Sequence, residues 1–569
     1  MNGQRPTKAL ALLLLWLGAF FGFASVAHGN LDTVDAAFSM HAARAAWTRG
    51  DSALLTQEQG GELLGERMGA LHVHKTTDEG HRQFGKVGRD GRVYVWFPVG
   101  YVWLLVPFVA AGQVLENVWP AAETRYRSLA APGLPDDQLA NSVSYLYGHP
   151  VLTQGLIALG MPAAFAATSL LLLLAIGRAL GASWRDAMIA AGAIMAGTQA
   201  FALGREQLSD GPGLTFVLAM LLVTVRAQAG SATRRLLLAG GAAAGIAVLL
   251  RYQSAFLVAA CALAVAVVCR RRGRVRDVAW FALGGLPFLA VLLATGYARF
   301  GDPLDTGYPK YDDWFDRPML SGLAKLFFAA GRGVAWLSPL LWLGVPLVAR
   351  ARPLVLRWLA IVLFAVPFLF FARARGWQGG QCWGVRYVTP GVVLLLAIVL
   401  PQTRPWERWP RTWLVLLGCG LFANLTSVVA PTRGQIQLAS QAVQAAAANE
   451  IPPRVLSPDE VIDRISWEPR WSPLAANWSY VALSRVGGFE TKDGAPATGA
   501  AATIEPMFGV VSADPLLVLG PQCREDRCGR HLWWNFWSEI ADVPAWLLLL
   551  PVLAAAIAFG LAGVRRLLR

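Results

Sequence analysis

Residues 155–177 read GLIALGMPAAFAATSLLLLLAIG, a continuous apolar run without a single charged side chain. A helix of about 20 apolar residues is long enough to cross the ~30 Å hydrocarbon core of a bilayer. Lipid cannot satisfy bare backbone groups, so a segment that spans a membrane must be a helix or part of a closed barrel. Because this run does not alternate between apolar and polar residues, it predicts a transmembrane helix.

Comparable runs recur along the chain, beginning with Leu10 to Val26. The later runs lie at 155–177, 187–203, 211–226, 235–250, 254–269, 278–298, 333–349, 355–371, 388–401, 412–430 and 544–563. The chain is 55% hydrophobic and 15% charged, whereas a soluble protein carries about 25% charged residues. We therefore expect an all-α polytopic membrane protein with about twelve transmembrane helices.

The first run has two interpretations. Arg5 and Lys8 precede it, and Ser25-Val26-Ala27 offers the small residues of a signal-peptide cleavage site. The run is longer than the usual apolar core of a signal peptide, which favours a transmembrane helix. In both cases the chain that follows lies outside the cytoplasm.

A further apolar stretch, Val93 to Val114, either spans the membrane or lies on its surface. The charges of the other loops decide between these two possibilities. If it does not span, the arginine clusters between the later helices all face the cytoplasm, where Lys and Arg are enriched. These clusters comprise Arg178, Arg185, Arg226, Arg234, Arg235, Arg270, Arg271, Arg272, Arg274, Arg276, Arg350, Arg352, Arg357, Arg404, Arg408, Arg411, Arg565, Arg566 and Arg569. If it spans, every cluster moves outside. We therefore predict that this stretch forms helices on the outer membrane surface.

This topology places both termini in the cytoplasm and two large segments outside. The predicted organisation is a transmembrane domain over 1–430 that includes a first outer loop with surface helices at 29–152, a mixed α/β extracytoplasmic segment over 431–543, and a last transmembrane helix with a cytoplasmic tail over 544–569. Shorter outward loops lie at 299–332 and 372–387.

The net charge is +14. The excess of Lys and Arg that cytoplasmic loops carry accounts for this charge, so we predict no nucleic-acid partner. Cys523 and Cys528 lie in a polar part of the second outward segment. An oxidising compartment favours a disulfide between them, and two free thiols are the alternative.

Ionisable side chains gather at the outward ends of the predicted helices. Asp32 and Asp35 follow the first helix, Asp210 opens a later helix just after Arg205, and Arg251 stands between two apolar runs. The shorter outward loops add Tyr308, Arg373, Arg375, Arg386 and Tyr387. Ionisable groups between closely spaced spans are costly and are functional candidates by default. A carboxylate can act as a general base and an arginine can clamp a phosphate, so we predict a carboxylate–arginine site on the outer face.

Structural roles are the alternatives for these residues. Asp35 and Asp210 are also suited to capping helices. Arg386 is also suited to anchoring the next helix at the interface, and Arg251 to reaching the lipid headgroups. The grouping of His72, His74, Asp78, Glu79 and His81 suggests a metal site. Its spacing matches no metal-binding motif, so we assign no metal ligands and leave a divalent metal open as a cofactor.

Several motifs occur in a distinctive order along residues 1–430. They are DAAFSMHAARAAWTRG at 35–50, GRVY at 91–94, FPVG at 97–100, Ser209-Asp210, FGDP at 300–303, TGY at 306–308, GRG at 331–333, Ser338-Pro339, WQGG at 377–380 and GVRY at 384–387. In this order and topology they resemble the GT-C-fold glycosyltransferases. The resemblance is closest to the group that contains protein O-mannosyltransferases and the aminoarabinose transferase of lipid A.

Enzymes of that group transfer a sugar, with inversion, from a polyprenyl-phosphate carrier held in the membrane lipid. The resemblance implies that Asp35 is the acidic residue that acts as base or positions the acceptor, with Asp32 as the alternative and Asp210 as a second acidic residue. Ala36 stands where a second acidic residue is common, which weakens the case for a catalytic pair and for a metal held there. The residues expected to bind substrate are Arg205, Arg251, Tyr308, Arg373, Arg375, Arg386 and Tyr387.

The resemblance thus implies a hexosyl- or pentosyltransferase in a bacterial cytoplasmic membrane. Its site would face the periplasm or exterior, and its acceptor would be an extracytoplasmic glycan, lipid or protein. A flippase or transporter of lipid-linked sugars is one alternative, although it calls for charges deep within the spans, and the sequence has few. A non-catalytic assembly subunit is the other, and Ala36 leaves it open.

Overall fold

The computed structural model describes residues 5–31, 33–54, 81–82, 85–130, 150–308, 315–374, 376–377, 379, 382–429, 443, 447, 455–456, 458–469, 472 and 532–568. Several residues discussed above lie outside the described ones. They are Asp32, His72, His74, Asp78, Glu79, Arg375, Cys523, Cys528 and most of the 431–543 segment.

Helices dominate the described chain, and the predicted apolar runs coincide with them. In chain order they are α1 (Arg5–Ala24), α2 (Val34–Arg49), α3 (Val99–Val118), α4 (Pro120–Ala130), α5 (Val151–Ala179), α6 (Trp184–Gly197), α7 (Ala200–Leu203), α8 (Asp210–Gln228), α9 (Arg234–Leu250), α10 (Ser254–Arg271), α11 (Val278–Phe300), α12 (Met319–Phe328), α13 (Val334–Leu337), α14 (Leu341–Leu347), α15 (Leu354–Phe371), α16 (Thr389–Thr403), α17 (Pro405–Arg408), α18 (Pro410–Val429), α19 (Pro458–Trp467), α20 (Trp533–Ala541) and α21 (Ala545–Leu568). The prediction of an all-α, multi-pass membrane protein is confirmed.

Two of the predicted runs are not single helices. The run at 333–349 is divided between α13 and α14 at Ser338-Pro339, because a proline cannot donate the hydrogen bond that a continuing helix needs. The run at 187–203 is divided between α6 and α7, where Thr198 has an extended backbone. The expectation of one unbroken helix is wrong in both places.

Eight of the described helices are long and apolar enough to cross a membrane by length and composition. They are Val99–Val118, Val151–Ala179, Asp210–Gln228, Ser254–Arg271, Val275–Phe300, Leu354–Phe371, Pro410–Val428 and Ala545–Leu568. Shorter apolar helices include Lys8–Ala24 and Thr389–Thr403. The count of about twelve spans therefore stays a prediction. The surface position of 93–114 also stays a prediction, because α3 has the length and composition of a membrane-spanning helix.

A small antiparallel sheet, which the sequence did not predict, lies in the first outer loop. Its strands are β1 (Ala53–Leu54), β2 (His81–Arg82), β3 (Gly85–Val87) and β4 (Val93–Val95), in the order β1-β4-β3-β2. Tyr94 lies opposite both Ala53 and Lys86. The sheet joins the end of α2 to the start of α3.

Helix α16 is the most deeply buried helix of the described fold. Every side chain from Thr389 to Pro401 is buried, as expected for a helix that is apolar on all faces. The first and last described helices pack side by side at the edge of the fold. A Cβ added to Gly18 of α1 would lie 2.4 Å from the backbone nitrogen of Gly560 in α21, so only a glycine permits this approach.

Two described helices of the 431–543 segment, α19 and α20, contact the ends of other elements on the side that the sequence predicts to face outward. Asp463 of α19 accepts a hydrogen bond from Lys325 of α12 at 2.6 Å. The backbone carbonyl of Ser466 accepts one from the Gly331 N–H at 2.9 Å. At the start of α20, the Trp534 indole donates to the carbonyl of Ser25 at 3.2 Å. These contacts hold both helices against the surface that is predicted to face outward.

Candidate active site

A cleft with about 400 Å³ of empty space, its open mouth included, lies between the predicted first outer loop and the helix ends that are predicted to face outward. It is bounded by the first turn of α2, the start of α3, the start of α8, the connection between α9 and α10, and the loop before α16. Its walls are formed by Asp35, Ser39, Phe97, Pro98, Tyr101, Leu208, Ser209, Asp210, Arg251, Gln253, Tyr308, Arg386 and Tyr387. Six residues predicted from the sequence are thus brought together.

Asp35 lies in the first turn of α2, where the positive end of the helix dipole favours a carboxylate. The helix cap is not Asp35 but Thr33, whose side chain accepts the N–H of Ala36 at 3.4 Å. Gly50 ends the helix with a left-handed φ of 76°. The carboxylate of Asp35 is therefore free of a capping role. It faces the cleft with its side chain 31% exposed.

Asp210, the first residue of α8, is buried between two arginines. Its side chain is only 3% exposed, and its carboxylate contacts Arg251 Nη1. Its second oxygen lies 3.5 Å from Arg386 Nη1. A buried carboxylate is stable when it is paired in this way. Asp210 therefore links the two guanidinium groups, and it is far less accessible than Asp35.

Arg386 reaches both carboxylates of the cleft. Its Nη2 donates a hydrogen bond to Asp35 Oδ2 at 3.2 Å, while Nη1 faces Asp210. Burial acts to lower the pKa of Arg386, but Tyr387 and Asp35 act in the opposite direction and hold that pKa well above its ordinary value. The guanidinium is therefore a fixed positive charge at the centre of the cleft.

Tyr387 lies under both arginines. The guanidinium carbons of Arg251 and Arg386 lie 5.3 Å and 5.2 Å from the centre of its ring. These are cation–π distances. Phe371 supports Tyr387 by stacking, with the centres of the two rings 4.6 Å apart. The tyrosine thus keeps the two guanidinium groups on one side of the cleft.

Apart from Arg251 Nη1, which contacts the Asp210 carboxylate, two donors of the arginine pair are buried without a hydrogen-bond partner, namely Nη2 of Arg251 and Nε of Arg386. A buried donor without a partner costs free energy, and such groups are often matched by a ligand. The fork of N–H donors on arginine suits a phosphate or carboxylate. The cleft can therefore take an anion between the two guanidinium groups.

Aromatic side chains also line the cleft, among them Tyr308, which is held by two rings behind the cleft wall. Tyr308 stacks on Trp96 with ring centres 6.2 Å apart and meets Tyr252 edge-on at 6.0 Å. The hydroxyl of Tyr101 donates to the carbonyl of Gln207 at 2.6 Å. An aromatic lining with a few convergent polar groups is typical of a small-molecule site.

Two of the predicted substrate-binding residues lie away from the cleft. Arg205 is buried at the outward end of α1, where it donates to the carbonyl of Val26 at 2.6 Å and to the carbonyl of Ser427 at 2.7 Å. Arg373 is exposed, and its carbonyl accepts the N–H of Arg317. The other two candidates, Asp32 and Arg375, lie outside the described residues.

Sequence reasoning did not single out Ser39, Gln253 or Tyr101 as cleft residues. No sequence motif indicates that Ser39 or Gln253 lies in the cleft. Tyr101 is almost fully buried, because α3 turns its first residues toward the start of α8. No three His, Cys, Asp or Glu side chains of the described chain lie close enough together to hold a metal ion.

Part of the chain matches a family of known proteins. The family described as dolichyl-phosphate-mannose-protein mannosyltransferase matches residues 153–297, which run from α5 to α11 and include Asp210 and Arg251. The resemblance to protein O-mannosyltransferases expected from the motifs is thus confirmed over these helices. No curated protein matches the chain.

Two solved structures are similar to the chain. One is ArnT from Cupriavidus metallidurans bound to undecaprenyl phosphate, with 13% identity and a TM-score of 0.41, covering 94% of this chain and 76% of that one. The other is the same protein in the apo state, with 12% identity and a TM-score of 0.35, covering 94% and 75%.

Proposed function

We propose that this chain is a membrane glycosyltransferase that moves a sugar from a polyprenyl-phosphate carrier to an extracytoplasmic acceptor, with inversion. The main support is the cleft itself, in which an accessible carboxylate, Asp35, shares the walls with the buried Arg251 and the largely buried Arg386. The match of residues 153–297 to lipid-phosphate-dependent mannosyltransferases supports the same class of reaction. The sugar is a hexose or a pentose, and the acceptor is a glycan, a lipid or a protein.

The two arginines bind the phosphate of the carrier. The bond between the anomeric carbon and the phosphate oxygen breaks, and its electron pair stays on that oxygen as negative charge. Donors that are already in place where charge develops stabilise such a transition state. The unpartnered donors of Arg251 and Arg386 are suited to this role, because they are buried beside the cleft.

Asp35 acts on the acceptor. The acceptor hydroxyl attacks the anomeric carbon and loses its proton to the Asp35 carboxylate, and inversion follows because one displacement occurs opposite the leaving phosphate. Asp210 is less suited to this role, since both of its oxygens face guanidinium groups and its side chain is 3% exposed. We assign Asp210 to holding the arginines.

The sugar lies between the arginine pair and the aromatic side chains of the cleft. Tyr308 lines the cleft on that side, and Trp96 and Tyr252 hold its ring in place. Ser39, Ser209 and Gln253 add neutral hydrogen-bonding groups to the cleft wall. We place the cleft on the periplasmic or outer face of a bacterial cytoplasmic membrane, with both termini in the cytoplasm, in agreement with the arginine-rich loops on the other face.

The test is a transfer assay in membrane vesicles with a labelled polyprenyl-phosphate sugar. We expect Asp35→Asn to lower transfer by about 100-fold or more, since general-base catalysis contributes on that order. Asp302→Asn is the matched control, because Asp302 is an exposed carboxylate of another outward loop. It should retain wild-type transfer. Full transfer by the Asp35 variant, at wild-type expression, would overturn the proposal.

The same assay separates the two alternative functions. A flippase moves the labelled lipid across the membrane and leaves the sugar–phosphate bond intact. A non-catalytic subunit does neither in the absence of its partner. Release of label from the lipid by the wild-type chain, lost in the Asp35 variant, is expected from the transferase alone.

A further inference from the structure

Two hydrogen bonds join the connection between α6 and α8 to the loop before α16 and to the first residue of that helix. Gln199 Oε1 accepts a hydrogen bond from the Thr389 hydroxyl at 2.6 Å. Glu206 Oε1 accepts the backbone N–H of Trp383 at 2.7 Å. Both contacts join residues far apart in the chain, and all four residues are buried. This connection therefore sets the position of the loop that carries Arg386.

The Glu206 contact lies close to Arg386 in the chain. Trp383 comes three residues before Arg386, and Gly384 between them turns the chain with a left-handed φ of 71°. A Cβ on Gly384 would lie 2.3 Å from Gln199 Nε2, so the backbone at Gly384 is closely packed against the connection between α6 and α8. A shift of the Trp383 N–H would thus be passed on to the guanidinium of Arg386.

Glu206 does not line the cleft. We infer that Glu206 is a positioning residue: its carboxylate holds the Trp383 backbone so that the Arg386 guanidinium faces both Asp35 and Asp210. On the proposed function, on which this inference rests, that placement lets Arg386 bind the phosphate of the lipid carrier. The reach of the side chain carries this role. Against the effect of burial, the charge of Glu206 only adds to the effects of Tyr387 and Asp35 in raising the pKa of Arg386.

The charge of Glu206 has a separate effect on the fold. Burial lowers the pKa of the Arg332 guanidinium, and the carboxylate of Glu206 acts in the opposite direction. Arg332 is 2% exposed. Neutralising Glu206 therefore destabilises the protein around Arg332, while shortening Glu206 withdraws the acceptor from Trp383. A shorter variant that keeps the charge and a nearly isosteric variant that removes it distinguish reach from charge.

The experiment compares Glu206→Asp with Glu206→Gln in purified protein, with undecaprenyl phosphate as the probe. Removing one methylene retracts the carboxylate by about 1.5 Å, which breaks a hydrogen bond of 2.7 Å. We expect the Asp variant to bind the probe about tenfold more weakly, in line with the loss of one charge-assisted hydrogen bond. The Gln variant keeps the acceptor and should bind within about twofold of wild type, although its melting temperature falls.

A double-mutant cycle with Arg386→Ala shows whether Glu206 acts through Arg386. The Glu206→Asp change should have no further effect on affinity once the arginine is removed, because coupled residues are not additive. Additive losses would overturn the inference, as would wild-type affinity of the Asp variant or a greater loss in the Gln variant. A wild-type chain that binds no undecaprenyl phosphate would instead overturn the proposed function together with the inference.

Discussion

The guanidinium of Arg386 lies 3.2 Å from the carboxylate of Asp35, although 351 positions separate the two residues. The pair joins the first outer loop to the loop before α16. It places the proposed base beside a group that we expect to bind the leaving phosphate. A bound phosphate would compete for the same guanidinium, so the contact also bears on how the carboxylate becomes available.

The first prediction concerns the geometry of Arg386. Lysine keeps the charge but cannot face Asp35 and Asp210 with two separate donors. We expect Arg386→Lys to lower kcat/KM for the lipid-linked donor by about tenfold or more, measured with labelled donor in vesicles. Arg373→Lys is the control, since Arg373 is exposed and outside the cleft. Equal losses in the two variants would contradict the assignment.

The second prediction concerns stability at Asp210. Removing one partner of a buried ion pair costs about 3–5 kcal/mol, and Asp210→Asn leaves two buried guanidinium groups without their shared carboxylate. Its melting temperature in detergent should fall well below that of Asp35→Asn, because the Asp35 side chain is 31% exposed against 3% for Asp210. Similar melting temperatures would show that Asp210 does not hold the arginines.

The third prediction separates Arg205 from the substrate-binding residues. Arg205 donates to the carbonyls of Val26 and Ser427, so it ties the end of α1 to the end of α18. Arg205→Gln should lower the melting temperature while the remaining folded protein keeps its KM for the donor. A clear rise in that KM without a loss of stability would restore the role expected from the sequence.

The fourth prediction concerns the contact between α1 and α21. Gly18→Val would place a side chain against the backbone of Gly560, whereas a Cβ on Gly22 of the same helix meets nothing within 4 Å. We expect the Gly18 variant to lose thermal stability and the Gly22→Val variant to lose much less, measured by melting in one detergent. Replacing glycine by valine changes the intrinsic helix propensity equally at both positions, so the difference in melting temperature measures the contact between α1 and α21.

The boundaries of most helices follow from the sequence, because length and composition alone decide whether a segment can lie in lipid. The exceptions have local causes. Pro339 interrupts one apolar run by the loss of a backbone donor. The sheet of the first outer loop has strands of two or three residues, too short to show an alternating pattern.

The candidate site was predictable in part. Asp35, Asp210, Arg251 and Arg386 share the outward ends of helices, and all four line the cleft. Arg205 is also an arginine near the start of a helix, yet its side chain donates to the carbonyls of Val26 and Ser427, away from the cleft. Only the packing of the helices distinguishes them. Glu206 acts at a distance from the cleft, which no local pattern reveals.

The close pairing of Gly18 with Gly560 has a consequence for how the protein is made. Membrane helices leave the translocation machinery in the order of their synthesis, so α1 enters the bilayer before α21 and before all the described helices between them. Between these two moments, the glycine face of α1 has no protein surface to cover it. The bundle can therefore close this seam only after every intervening helix has been inserted, and a defect in α21 would leave this side of α1 uncovered, although α1 is also held to α5 by the hydrogen bond from Trp16 to Thr168.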